Sequence, residues 1–350
     1  MPDLLQSEVL PETSDNVLDI RDLSINYGTP RGELQALRHV SMSIGKKKIV
    51  GIVGESGCGK STLISAIIRL MASNATVQSG EILFKDQDLL GLKEKQMRAL
   101  RGIDISMVFQ DPMQTHNPVL TIGRQMVDIQ YRDKLSKANK KKRAAGMLAL
   151  VGIPDPEARL NQYPYEFSGG MRQRIAIAMA LMAKPDLLIA DEPTTALDAT
   201  LEVQIIKRLE ELQDEIGCSI LFISHHLGVI AELCDEVVVM YAGEVIEQGS
   251  VRDVFHNPAH PYTAALLKCD PGHIKEKTRN LPTIPGEVPD LVDLPSGCIY
   301  QQRCTKGFAR CQSERPAFRQ INGSHGVACH LTETDLSKET SQQNEEGITS

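Results

Sequence analysis

Gly54, Glu55, Ser56, Gly57, Cys58, Gly59, Lys60 and Ser61 read GESGCGKS, with Thr62 next, and have the composition of a phosphate cradle. The glycines let backbone N–H groups turn inward onto phosphate oxygens, and a following helix adds its positive N-terminal end. At this spacing Lys60 reaches toward the β- and γ-phosphates and the Ser61 hydroxyl toward Mg²⁺. A second candidate is the pair Asp191 and Glu192, which follows four apolar residues in LLIADEP. At a strand end both carboxylates lie at the carboxyl edge of a sheet, where open α/β sheets bind ligands. Asp191 then suits a Mg²⁺ contact through water. Glu192 suits a general base that polarises an attacking water, a role worth about 10²–10⁴-fold in rate. Each has a bland alternative, a tight turn for the first and a helix-capping acidic pair before Pro193 for the second. Their occurrence together points to nucleoside triphosphate chemistry.

These residues need elements to hold them. Ile49 to Val53 is an apolar strand feeding the glycine-rich loop, and a helix should begin near Lys60, the context a phosphate loop requires. Residues 17–28 read as a strand ending in a turn, and MVFQ at 107–110 closes another. From Asp111 to about Phe167, polar helix-compatible segments broken by Pro154, Pro156 and Pro164 suggest a helical insertion. DLLIADEP and SILFISHH are apolar strands, the latter ending in His225 and His226. EVVVMYAGEVIEQG reads as two strands joined by a turn at Ala242 and Gly243. Strands alternating with helices argue an α/β class with a largely parallel sheet.

Composition narrows the partners. The formal charge of −7 argues against nucleic acid, whose binders carry a basic field. The basic run Lys140–Arg143 reads as a solvated helix face. No apolar run approaches the roughly 18 residues of a membrane span. The acidic start has no signal-peptide pattern, so a cytoplasmic chain is expected. Of eight cysteines, Cys298, Cys304, Cys311 and Cys329 cluster with the spacing C-x₅-C-x₆-C-x₁₇-C. Such a cluster leaves an iron–sulfur centre, zinc and unligated reduced thiols open.

In order, the chain shows GESGCGKS, Gln110 after a strand, FSGGM at 167–171, LLIADEP, ALD at 196–198 and a strand ending in His225. In motif, order and spacing it resembles ABC ATPases over about residues 17–255. FSGGMRQR resembles their LSGGQ signature, with Phe167 and Met171 replacing Leu and Gln while Ser168, Gly169 and Gly170 are intact. The resemblance implies that this signature serves ATP bound by a facing subunit. It also implies that Gln110 senses Mg²⁺ and the nucleophilic water, that Asp198 communicates across the dimer, and that His225 meets the γ-phosphate. Tyr27 resembles the aromatic that stacks on adenine. The Mg²⁺ set it implies is Ser61, Gln110 and Asp191.

HNPAHPYTAALL at 256–267 and LPTIPGEVPDL at 281–291 resemble the C-terminal extension of dipeptide and oligopeptide importer ATPases. That branch implies a [4Fe–4S] cluster on Cys298, Cys304, Cys311 and Cys329. It further implies a heterodimer with a second homologous ATPase, two membrane-spanning permease subunits, a solute-binding protein upstream, and a place on the cytoplasmic face of the inner membrane. The expected organisation is a disordered lead (1–16), an ABC ATPase domain with a mixed sheet (17–255, helical subdomain about 111–167), a small Cys-rich extension (256–332) and a disordered tail (333–350). Two rival functions, an ABC ATPase of repair or translation and a small-molecule P-loop kinase, lack respectively a second ATPase half in the chain and a use for FSGGMRQR.

Overall fold

The computed structural model describes residues 15–111, 115–194, 199–270 and 282–332. Most of the expected lead, all of the expected tail, and Asp198 lie outside the described residues. Strands follow in chain order as β1 (Asn16–Thr29), β2 (Gly32–Gly45), β3 (Ile49–Val53), β4 (Ala75–Phe84), β5 (Gln87–Asp88), β6 (Ile105–Val108), β7 (Leu187–Asp191), β8 (Ser219–Ile223), β9 (Glu236–Tyr241), β10 (Glu244–Ser250), β11 (Arg319–Asn322) and β12 (His325–Val327).

The central sheet runs β11-β12-β10-β9-β3-β8-β7-β6. From β9 to β6 neighbouring strands are parallel, and the β9-β10-β12-β11 side is antiparallel. Every residue of β3 and β8 is buried, which explains their unbroken apolar runs: both faces of a parallel strand are covered. Side-chain alternation sorts those faces into two cores. Val53, Leu188, Phe222 and Val239 pack against helices, including Gly169–Leu181. Val50, Ile52, Ile189, Leu221 and Met240 face helix Lys60–Ile67 and a second, antiparallel sheet ordered β2-β1-β4-β5. The mixed sheet with helices expected from the sequence is present. The long strands β2 and β4 of the second sheet were not foreseen.

The Cys-rich stretch does not stand apart from this architecture. Its β12 pairs with β10 through Glu247↔Val327, so the chain's end lengthens the central sheet. The buried Glu247 carboxylate fixes that junction. It accepts the Ala259 and His260 backbone N–H groups at 2.7 and 3.0 Å, and His325 Nε2 lies 2.8 Å away. Glu247→Ala leaves these partners unanswered and should lower stability by about 3 kcal/mol, read as a reduced urea midpoint. No helix among the described residues is long and apolar enough to cross a membrane.

Candidate functional site

Strand order explains why distant motifs meet. The neighbours β3, β8, β7 and β6 are parallel, so their carboxyl ends share one edge. The phosphate loop leaves β3, Glu192 leaves β7, His225 follows β8 and Gln110 follows β6. They border a cavity of about 660 Å³ lined by Tyr27, Leu34, Ala36, Gly54, Ser56, Gly57, Gly59, Lys60, Ser61, Thr62, Gln110, Glu192, His225 and Leu291. That volume suits a nucleotide-sized ligand.

The loop's shape requires glycine at two points in particular. Gly54 has φ 154°, and a Cβ there would sit 2.2 Å from the Met240 carbonyl oxygen. Gly59 has φ 106°, and its Cβ would meet Leu37 at 2.7 Å and the Ala36 carbonyl at 2.9 Å. Helix Lys60–Ile67 starts at Gly59 with no side-chain cap, leaving its first N–H groups to a ligand. Lys60 Nζ donates to the Gly54 carbonyl at 2.6 Å and the Glu55 carbonyl at 3.2 Å. The Tyr27 hydroxyl donates to Thr62 Oγ1 at 3.4 Å, which joins the end of β1 to the helix start.

Across the cavity, Gln110 Nε2 donates to Glu192 Oε2 at 3.0 Å, and His225 Nδ1 lies 3.4 Å from that oxygen. Glu192 has φ 47°, an uncommon left-handed backbone for a residue with a Cβ. Its N–H donates to the Ile223 carbonyl at 3.0 Å, tying the end of β7 to β8. The adjacent histidine is different: His226 Nδ1 sits 3.2 Å from Glu202 Oε1 and does not line the cavity. Asp191 is partly buried, and burial, reinforced by the Glu192 charge, raises its carboxyl above the usual range. Ser61, Gln110 and Asp191 each carry an oxygen of the kind Mg²⁺ takes, and of the three Ser61 and Gln110 line the cavity while Asp191 does not.

Several expected residues are placed elsewhere. Glu55 and Cys58 belong to the loop but do not line the cavity. The Glu55 carboxylate turns to Arg303, and Cys58 is buried in the core. Ser168, Gly169 and Gly170, expected to serve a facing subunit's nucleotide and not this one, do not line the cavity. Ser168 caps helix Gly169–Leu181, its Oγ accepting the Met171 N–H at 3.3 Å. The replacement Phe167 is buried under the Arg159 guanidinium.

The expected [4Fe–4S] cluster finds no support here. Cys298, Cys304, Cys311 and Cys329 come near one another, and the Cys298 N–H donates to the Cys311 carbonyl at 2.8 Å. Among the described residues, however, no three His, Cys, Asp or Glu side chains are grouped to hold a metal ion. Cys298 and Cys311 sit in the apolar core. Burial pushes the Cys298 thiol up to about 12 and the Cys329 thiol up to about 11. The neighbouring thiols push both the same way.

Sequence reasoning missed Leu34 and Ala36 on β2, and Leu291 from the far end of the chain. The Leu291 carbonyl accepts the Gln35 N–H at 2.9 Å, and Asp290 pairs with Arg31, so this segment is fastened beside the Tyr27 end of the cavity. The alternating pattern of β2 could have signalled the first two. Nothing local marks Leu291.

Comparison with known proteins agrees with this geometry. The ABC transporter family matches residues 37–195, and the oligopeptide/dipeptide transporter C-terminal region matches residues 246–311. The chain is 46% identical to a probable peptide ABC transporter ATP-binding protein of Sinorhizobium fredii, over 90% of this chain and 95% of that one. It is 45% identical to the oligopeptide transport ATP-binding protein OppD of Bacillus subtilis, over 92% and 90%. Among solved structures it is similar to a dimeric ATP-binding cassette bound to ADP and Pi, with TM-score 0.61 and 27% identity over 67% of this chain and 99% of that one. The chain belongs to the ABC transporter family, in the branch of peptide-transport ATP-binding proteins.

Proposed function

We propose that this chain is the ATP-hydrolysing subunit of a bacterial importer for peptides or related small solutes, working on the cytoplasmic face of the inner membrane. The observation that carries this reading is the meeting of Gly54, Ser56, Gly57, Gly59, Lys60, Ser61 and Thr62 with Gln110, Glu192 and His225 around one cavity. In it, loop N–H groups and Lys60 hold the β- and γ-phosphates. Tyr27 stacks on the base, an interaction worth about 1–3 kcal/mol in other nucleotide sites. Glu192, oriented by Gln110, takes the proton of the attacking water, and His225 steadies the γ-phosphate. Ser61, Gln110 and Asp191 would hold Mg²⁺, which would neutralise charge at the phosphate oxygens.

Ser168, Gly169 and Gly170 serve the nucleotide of a facing ATPase subunit, for which their distance from their own cavity is the supporting fact, and Asp198 links the two. We infer a sister chain, in a heterodimer, as that subunit, and two permease subunits as the membrane anchor. Residues 17–255 form the cassette and 256–332 its extension. The test is ATP binding and turnover by the purified chain and by Lys60→Met. Losing the charged donor should weaken ATP binding about 10- to 100-fold. Equal binding by that variant would overturn the assignment. Failure to capture permease subunits from membranes would count against the transport role alone.

A further inference from the structure

We propose that Arg303 is a positioning residue for the phosphate loop: by holding Glu55 it lets the chain's C-terminal extension set the affinity of its own nucleotide site. This rests on reading Gly54–Ser61 as the phosphate cradle. Arg303 Nη1 donates to Glu55 Oε2 at 2.6 Å and Nη2 to Glu55 Oε1 at 3.1 Å, a fork-to-fork pair. The remaining donors are also placed. Nε donates to the Pro285 carbonyl at 2.9 Å, Nη2 to the Ile284 carbonyl at 3.1 Å and Nη1 to the Tyr241 hydroxyl at 3.3 Å. The arginine side chain is only 4% exposed, so these bonds are shielded from water, while Glu55 is 29% exposed.

The backbone of the same loop residue is held by the extension as well. The Glu55 N–H donates to the Tyr262 hydroxyl at 3.0 Å, from helix Pro261–Lys268. Tyr262 packs on Tyr241 and Tyr300, with ring centroids 4.7 and 5.4 Å apart. Glu55 lies between Gly54 and Ser56, which both line the cavity. Side chain and backbone of the loop's second residue are therefore fixed from behind by groups up to 248 positions away in sequence. A loop already held in its binding shape loses less freedom when it closes on phosphate, so the clamp acts on affinity. Arg303 stands next to Cys304, so the packing of the cysteine segment and the shape of the phosphate loop are linked through one side chain.

The test measures Kd for a fluorescent ATP analogue and thermal midpoint together, on the full chain. Arg303→Met should raise Kd about tenfold, the scale of one lost charge-assisted fork. Glu55→Gln should raise it in the same direction. The double variant should be no weaker than the weaker single one, because both remove the same contact. Arg303→Lys keeps the charge without the fork and should recover part of the affinity. If Arg303 variants do not fold, Glu55→Gln, at a partly exposed site, carries the comparison alone. The proposal is overturned by a Kd within twofold of the unaltered chain in Glu55→Gln, or by losses that multiply in the double variant. A lowered thermal midpoint with unchanged Kd would reduce Arg303 to a structural role and overturn it equally. Lys60→Met separates the two readings. If that variant loses binding while Glu55→Gln does not, only the Arg303 proposal fails. If Lys60→Met binds like the unaltered chain, the phosphate-loop reading fails and the proposal falls with it.

Discussion

Glu192→Gln should bind ATP about as tightly as the unaltered chain and hydrolyse it about 10²–10⁴-fold more slowly. The substitution keeps the side chain's size and its ability to accept from Gln110 Nε2, 3.0 Å away. It removes the negative charge and with it the capacity to take a proton. The backbone at this position is held by the bond to the Ile223 carbonyl, so the altered side chain should stay in place. His225, 3.4 Å from the carboxylate, loses an ionic neighbour but keeps its position beside the cavity. Single-turnover hydrolysis and equilibrium binding, measured on one preparation, check both halves. Turnover within fivefold of the unaltered chain would remove Glu192 from the base role. Lost binding would instead make it a nucleotide-holding residue.

The second large effect concerns a residue that does not touch its own cavity. Gly169→Asp should leave ATP binding by the isolated chain unchanged and depress turnover by about 10²–10³-fold, the scale of losing one preorganised donor at a developing charge. A Cβ at Gly169 meets nothing within 4 Å, so the substitution fits. An aspartate in the first turn of helix Gly169–Leu181 also agrees with the helix dipole, so stability should hold or rise. The cost falls on whatever anion approaches that helix from outside. Mixing the variant with an unaltered facing subunit should leave one functional site of two. Unchanged turnover would detach the signature from hydrolysis, and weakened binding by the isolated chain would mean that it serves its own nucleotide.

The parts that could be read from the residues were those written contiguously. A strand, a glycine loop and a helix occupy Ile49–Ile67 without interruption; Asp191 ends β7, and Glu192 and His225 each follow an apolar strand within two residues of its end. Between the two histidines the resemblance chose His225, and the turn after β8 sends His225 to the cavity and His226 to Glu202. Where side chains turn away from the expected site, one physical cause is at work. A motif gives a residue's backbone address, whereas a side chain's direction depends on partners that may lie anywhere in the chain. Glu55 was expected among the ATP-binding groups, yet its carboxylate is taken by Arg303. The cysteine spacing brought Cys298 and Cys311 into the core beside Tyr300 and Ile299, a burial that the spacing alone does not announce. β11 and β12 escaped notice because they are four and three residues long, too short to display a period.

The separation between Glu55 and Arg303 also has a meaning in time. The chain is made from its N-terminus at about 5–20 residues per second, so the 248 positions between them take roughly 12–50 s to synthesise. Throughout that interval the glycine loop exists on the ribosome without its clamp. The nascent cassette can fold its central strands early, but the loop gains this support only once Arg303 has emerged. On the Arg303 proposal, tight nucleotide binding comes only to chains that have reached residue 303.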